Sequence, residues 1–293
     1  MAIGLLGAAV AYWSLVIAEG AYFGPRVVTL LYDRTAAEYD ALKDVPLGWD
    51  EERLAEPLLV RLGHGPAPRP VGSGLVLDLA TGTGRLPMAL LSDPAFTGTA
   101  VGLDLSGAML EKAWRKVGGW SPRVQLVMAP AVPAPFRDAT FCAVTMLEAL
   151  EFTPRPHDTL AEMVRLLAPG GALVVTNRIG WEARLLPRRA ARTDQLVRSL
   201  DSHGLVSITK EAWQTHYDLI WASKPGTLAP AVHWVDAVRC PGCTGALELR
   251  ADGDMLACGA CGREVLWHDG SWDFEGCASP GGPAVDEAGT AEA

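Results

Sequence analysis

The stretch Val76-Leu77-Asp78-Leu79-Ala80-Thr81-Gly82-Thr83-Gly84-Arg85 decides the fold. An apolar run that meets a pair of glycines reads as a buried strand ending in a turn that opens a helix. The glycines let the backbone approach a ligand closely. Twenty residues after Gly84 a second apolar run, Val101-Gly102-Leu103, ends in Asp104. Together these make a nucleoside-binding device, in which the acid at the tip of the second strand accepts from the ribose hydroxyls.

A dinucleotide fold asks for G-x-G-x-x-G, and the third glycine position here is Pro87. Proline is tolerated in the first turn of a helix, where its missing N–H has no partner to lose. The dinucleotide reading is weakened, and any doubly wound domain with a glycine turn stays open beside it. Outward from this turn, strands are expected at 75–79, 100–104, 124–128, 141–146, 172–177, 205–211 and 217–223. Helices are expected at about 84–92, after Ser106, at 158–167 and at 193–203, with a further one over 50–62 that Asp50 caps. Glycine- and proline-rich loops fill 63–74 and 129–139. The β-α alternation implies a parallel sheet with helices on both faces. The last two runs are too close for a parallel crossover and imply an antiparallel hairpin. The fold class is α/β: a seven-stranded doubly wound sheet with an antiparallel last strand.

The string Leu77-Asp78-Leu79-Ala80-Thr81-Gly82-Thr83-Gly84 resembles motif I of the class I methyltransferases that use S-adenosylmethionine. The segment from Val101 to Leu110 resembles their "VGLDLSxxML", and Leu166-Leu167-Ala168-Pro169-Gly170-Gly171 their "LKPGG" turn. Leu31 to Asp40 resembles the "YDR-x-A-x-x-YD" lead-in helix of the ubiquinone/menaquinone-type members. The resemblance covers roughly residues 30–224. It implies that Asp78, Ala80, Thr81, Gly82 and Gly84 hold the methionine part of the cofactor and Asp104 the ribose. It further implies that Tyr39, Leu105, Met109, Ala131 and Leu147 border the cofactor. The family usually has an Asp near 129–131 for the adenine amino group; this chain has Ala129-Pro130-Ala131. Glu148 follows the fourth strand, where open α/β sheets bind ligands, and is the candidate catalytic carboxylate. The alternative is an acid stabilised by a helix start.

Six cysteines include two C-x-x-C pairs, Cys240/Cys243 and Cys258/Cys261. Two such knuckles at this gap build a closed, tetrahedral, structural zinc site, with an iron site as the minor alternative. The segment resembles the zinc ribbon of the Trm112-like family, whose members partner and activate methyltransferases. The implied cofactors are S-adenosylmethionine and a structural zinc.

Of 293 residues, 49% are hydrophobic and 20% charged, and the net charge is −9. This acidic balance disfavours long nucleic acid, whose affinity comes mainly from phosphate neutralisation, though it leaves room for a local basic face. Met1 to Ala18 carries no charged side chain. A helix of that length reaches about 26 Å, near the lower limit for a bilayer core of about 30 Å. It reads as a candidate anchor with the rest of the chain on the cytoplasmic side, or as a helix packed on a cytoplasmic domain. Residues 178–192 hold five arginines against one acid, a composition suited to an anionic lipid surface or to RNA phosphates. A solvated loop is the plain alternative.

The expected organisation is an apolar N-terminal helix over 1–24, a methyltransferase domain over 25–228, a zinc ribbon over 229–276 and a disordered tail over 277–293. The leading function is methyl transfer to a small or lipid-like acceptor, with membrane association. The alternatives are an RNA or protein methyltransferase that grips its substrate with the ribbon and the arginines, and a catalytically silent adaptor.

Overall fold

In a computed structural model, residues 12–14, 18–36, 38, 39, 48–63 and 74–277 are described. The first helix, α1 (Pro25–Thr35), starts with proline at its first position, where the ring's fixed φ suits a helix start. A π-helical turn, Glu51–Ala55, leads into α2 (Glu56–Gly63). Strand β1 (Leu75–Leu79) is buried at every position, as its unbroken apolar run requires of a central parallel strand. There follow α3 (Arg85–Ser92), β2 (Thr99–Asp104), α4 (Gly107–Val117), β3 (Val124–Met128) and β4 (Phe141–Met146). Next come α5 (Pro156–Leu166), β5 (Leu167–Arg178), α6 (Gly180–Arg184) and α7 (Thr193–Ser202). The hairpin β6 (Val206–Trp213) and β7 (Tyr217–Ser223) closes this part.

β1 pairs in parallel with β2 on one side and β4 on the other, with Leu77 opposite Val101 and Val144. β7 runs antiparallel to both β5 and β6. The seven-stranded order is therefore β6-β7-β5-β4-β1-β2-β3, with the antiparallel hairpin that the spacing predicts. Alternate residues of each strand feed two cores. Leu77, Leu79 and Met146 pack with Leu160 and Met163 of α5; Val76 and Ala143 pack with Leu58, Leu90 and Leu110 of α2, α3 and α4. β5 begins five residues earlier than its apolar run suggests, because Ala168–Gly171 continues the strand through an irregularity in its pairing with β4.

The cysteine-bearing part begins with the short α8 (Trp234–Ala237) and continues as β8 (Leu247–Leu249), β9 (Met255–Cys258), β10 (Glu264–His268) and β11 (Ser271–Asp273). These strands are antiparallel among themselves. The sequence treats this part as separate from the sheet. Instead β11 pairs in parallel with β3, Trp272 opposite Val127 and Asp273 opposite Met128, so one sheet of 11 strands runs through both. The pairing was hidden from pattern reading because β11 is only 3 residues long. Side chains reinforce it. Trp272 Nε1 donates to Gln125 Oε1 at 3.0 Å, and an edge-on ladder links Trp114 of α4 to Trp267 and Trp267 to Trp272. Gly270 sits under Trp114 at φ +88; a Cβ there would lie 2.2 Å from the indole Cγ.

The expected helix over 1–24 falls partly outside the described residues. In the described part it is interrupted: Glu19 and Gly20 have positive φ and a 3₁₀ turn, Ala21–Phe23, follows. Among the described residues no helix is long and apolar enough to cross a membrane. This segment lies against the arginine-rich stretch: Trp13 Nε1 donates to Leu185 O and Tyr22 Oη to Pro187 O, each at 3.0 Å. Arg189 donates to the carbonyls of Ala21 and Thr153. The disordered tail expected over 277–293 lies, after Cys277, outside the described residues.

Candidate functional site

The turn after β1 is tied to β2 by two backbone amides. Thr81 N donates to Leu103 O at 2.9 Å, and Gly82 N to Asp104 Oδ2 at 2.8 Å. Gly82 has φ +53, and a Cβ there would meet no atom within 4 Å, so the turn faces open space. Gly84 is the left-handed residue that starts α3. Asp104 Oδ1 accepts from Ser106 N at 2.9 Å. Ser106 caps α4 as the sequence predicts, its Oγ accepting from Met109 N at 3.1 Å, and it donates to Asp33 of α1. Burial pushes the Asp104 carboxyl up, against the amides of Ser106, Gly82 and Leu105 that favour the anion.

Asp78 is 5% exposed. Its two oxygens accept from Thr145 Oγ1 at 2.6 Å and Thr81 Oγ1 at 2.8 Å. Burial raises its pKa to about 6, against those two hydroxyls. Beside it opens a cleft lined by Tyr39, Asp78, Ala80, Thr81, Gly82, Thr83, Arg85, Leu86, Leu147 and Glu148. Most of the sequence-derived cofactor residues thus meet in one place. Gly84, Leu105, Met109 and Ala131 do not line this cleft: Gly84 packs against Ala113 of α4, Met109 is buried under the start of α4, and Ala131 packs on the core. Asp104 borders the cleft through its bond to Gly82.

Three lining residues were not singled out by sequence: Thr83, Arg85 and Leu86. Arg85 makes a two-pronged bond to Asp50, Nε to Oδ2 at 2.9 Å and Nη2 to Oδ1 at 2.7 Å. Asp50 therefore spends its side chain on Arg85, and it makes no side-chain cap at the helix start assigned to it. Arg85 also lies 3.6 Å from Glu148 Oε1. That same oxygen accepts from Trp213 Nε1 and Gln214 Nε2, each at 3.0 Å. Two donors bond one oxygen of Glu148 and the Arg85 guanidinium stands close to it, which occupies lone pairs that a proton acceptor needs. Glu148 has φ +54, a strained conformation for a non-glycine residue, held by its amide's bond to Thr176 Oγ1 at 2.5 Å.

The donor set fits a nucleoside-linked amino acid. A buried carboxylate at Asp78 suits an ammonium group, and Asp104, bonded only by backbone amides, retains lone pairs for ribose hydroxyls. The adenine side has no acid, and Ala129 N is committed to Asp104 O at 3.0 Å. Far from the cleft, the sulfurs of Cys240, Cys243, Cys258 and Cys261 lie within 4.8 Å of one another. The pairs Cys240–Cys261 and Cys243–Cys258 are each 3.5 Å apart. Tetrahedral Zn–S bonds of about 2.3 Å place sulfurs about 3.8 Å apart. Amides of Cys261 and Ala260 aim at the Cys258 sulfur and pull its thiol down to about 6, whereas burial pushes the Cys240 thiol up against the amides of Gly242 and Cys243. No disulfide joins them.

Comparison with known proteins agrees with this geometry. A methyltransferase-domain family matches residues 77–175. A demethylmenaquinone methyltransferase of Clavibacter sepedonicus is 34% identical over 152 residues, 52% of this chain and 58% of the relative. One of Renibacterium salmoninarum is 33% identical over 178 residues, 60% of this chain and 68% of the relative. The chain spans somewhat over half the length of most such relatives. Among solved structures, the [4+2]-cyclase SpnF shares the fold at TM-score 0.53 and 19% identity, covering 68% of this chain and 96% of that one. A Haemonchus contortus phosphoethanolamine N-methyltransferase bound to S-adenosyl-L-methionine does so at 0.53 and 16%, covering 66% and 57%. With 33% identity over 178 residues that cover 68% of the Renibacterium protein, and with the methyltransferase-domain family matching residues 77–175, the chain belongs to the class I S-adenosylmethionine-dependent methyltransferase family.

Proposed function

We propose that this protein transfers a methyl group from S-adenosylmethionine to a small, lipid-like acceptor of the quinone-precursor type. The observation that carries the reading is the Gly82–Asp104 bond beside the buried Asp78, in a chain whose relatives are named demethylmenaquinone methyltransferases. The donor supplies a methyl sulfonium, and methyl transfer then depends chiefly on aligning an acceptor with it. Asp78 attracts the donor's ammonium, and Asp104 accepts from its ribose. Arg85, fixed by Asp50, sets the position of Glu148, which orients the acceptor side of the cleft.

Cys240, Cys243, Cys258 and Cys261 hold a structural zinc in this reading, and the ribbon braces β3 as a built-in counterpart of a Trm112-like partner. Exposed Tyr12, Phe23 and Trp181, close in sequence to Arg26 and Arg184, favour contact with the cytoplasmic face of a membrane, the source of the acceptor. Two measurements test the proposal. Calorimetry should show S-adenosylmethionine binding that Asp104→Ala removes; no binding in the wild type would turn the reading to an adaptor. Labelled methyl transfer in a cell extract should mark the lipid fraction, and label confined to RNA or protein would overturn the acceptor class.

A further inference from the structure

Beside the cleft, where β4 and β5 end, lies a second group of buried polar side chains that the proposed chemistry does not yet use. Glu151 is 2% exposed, and Arg178 exposes 10% of its side chain. Tyr217, opposite Arg178 across the β5–β7 pairing, donates to Glu151 Oε1 at 2.7 Å. Arg178 Nη2 donates to Glu182 Oε2 at 2.6 Å. Its Nη1 stands 3.7 Å from Glu151 Oε1 and 3.9 Å from Glu19 Oε1, too far for hydrogen bonds. Glu151 Oε2 and Arg178 Nε and Nη1 are buried with no hydrogen-bond partner. Buried polar atoms without a partner are rare and costly in native folds, so each calls for an explanation, of which a bound ligand is one.

The unpaired atoms specify what would satisfy them. Glu151 Oε2 needs a donor, and the two guanidinium nitrogens need an acceptor. A neutral hydroxyl offers both from one oxygen. A cationic amine offers only donors and meets Arg178; a carboxylate offers only acceptors and meets Glu19, Glu151 and Glu182. The flank is aromatic: Tyr32 packs edge-on to Phe152 at 6.2 Å and tilted to Tyr39 at 5.9 Å, and Tyr39 lines the cofactor cleft.

We propose that Glu151 and Arg178 form the acceptor's hydroxyl-binding site, with Glu151 Oε2 accepting the O–H and Arg178 donating to the same oxygen, on an aromatic flank that takes a flat ring. The proposal rests on the methyltransferase reading only for the word acceptor; the site itself stands on the unpaired atoms. Burial raises the pKa of Glu151, against the Tyr217 bond, its own backbone amide and the Arg178 charge.

Full-length protein is titrated with four naphthalene probes, 1-naphthol, 1-methoxynaphthalene, 1-naphthoate and 1-naphthylmethylammonium, by ligand-observed NMR, with and without S-adenosylhomocysteine. Wild type should prefer 1-naphthol by at least about tenfold over each of the others, the effect of losing one charged hydrogen bond. Glu151→Gln and Arg178→Lys should each erase that preference while leaving S-adenosylhomocysteine affinity within about twofold, since neither residue lines the cofactor cleft. No preference for 1-naphthol in the wild type overturns the site, and this result does not depend on how any variant folds. So does a preference that survives both substitutions. If S-adenosylhomocysteine does not bind but the preference holds, the methyltransferase reading falls and the hydroxyl site stands. If it binds and the preference is absent, the reverse is true.

Discussion

The cofactor cleft and the cysteine ribbon sit on the same sheet but are held in opposite ways. Around the cleft, β1 and β2 are buried on both faces, so the turn between β1 and α3 can leave its polar groups facing outward. The ribbon has four short strands, of 3, 4, 5 and 3 residues, with much of β8 and β10 exposed. A fold of that size buries too little apolar surface to stand alone. Its seam with β3 supplies part of its cohesion, and under the zinc reading proposed above the four sulfurs supply the rest. On that reading one region is rigid first and binds afterwards, and the other becomes rigid by binding.

The largest effect should come from removing the metal. Binding energy at a structural zinc site is folding energy, with apparent values of about 10–16 kcal/mol in small zinc peptides. Chelation or Cys258→Ser should melt the ribbon and its Trp267–Trp272 contacts. Near-UV circular dichroism should lose the part of its tryptophan signal that comes from the Trp114–Trp267–Trp272 ladder while β1–β7 keep their far-UV signature. An unchanged near-UV spectrum in metal-free protein would show that the seam alone suffices.

Asp104→Ala removes the acceptor for Gly82 N and for the ribose together. Cofactor affinity should fall by about a hundredfold, corresponding to about 3 kcal/mol for hydrogen bonds to a charged group. Calorimetry with S-adenosylhomocysteine reads this directly, and a loss below threefold would separate Asp104 from the nucleoside.

Gly270→Ala tests the seam from the ribbon side. The new Cβ would collide with Trp114 at a left-handed φ, for a cost of about 2–4 kcal/mol. The melting temperature should drop by several degrees; Trp114→Ala combined with it should recover part of that loss.

Asp78 gives a smaller, pH-dependent effect. Its pKa in the fold is about 6 against an ordinary 3.8. The folded state binds the extra proton between those values, so stability falls as pH rises through that window. Cofactor affinity runs the other way: protonation below about pH 6 removes the attraction for an ammonium group, at up to about tenfold per pH unit. Calorimetry between about pH 5 and about pH 7.5 should show the slope, and Asp78→Asn should flatten it.

Ser106→Ala should produce the smallest change, about 1 kcal/mol of stability from the lost cap on α4. Denaturant midpoints check it. A loss above about 3 kcal/mol would mean that the bond to Asp33 matters more than the cap.

The parts legible in sequence were those written in adjacent residues. β3, β4 and β7 begin and end where their apolar runs do, and Ser106 caps the helix expected of it. The Asp78, Gly82 and Asp104 arrangement follows from a fixed spacing between two neighbouring strands. What stayed hidden was pairing across long separations. Arg85 finds Asp50 across 35 residues, Tyr217 finds Glu151 across 66, and Trp272 finds Gln125 across 147. Asp50 had a local explanation, a helix cap, that competed with its distant partner. The arginine-rich stretch shows this most plainly: Arg178 and Arg189 look like surface charge in sequence, yet one is nearly buried and the other is bonded to two backbone carbonyls.

The parallel seam between β3 and β11 has a consequence for how the chain is made. Val127 leaves the ribosome well over a hundred residues before Trp272, so during synthesis the edge of β3 waits with open amides and carbonyls. An open edge beside Trp114 is a template for pairing with a neighbouring nascent chain. Translation pauses or premature stops between residues 129 and 270 should therefore yield aggregates, and the time that the ribbon takes to fold would decide how long that edge stays bare.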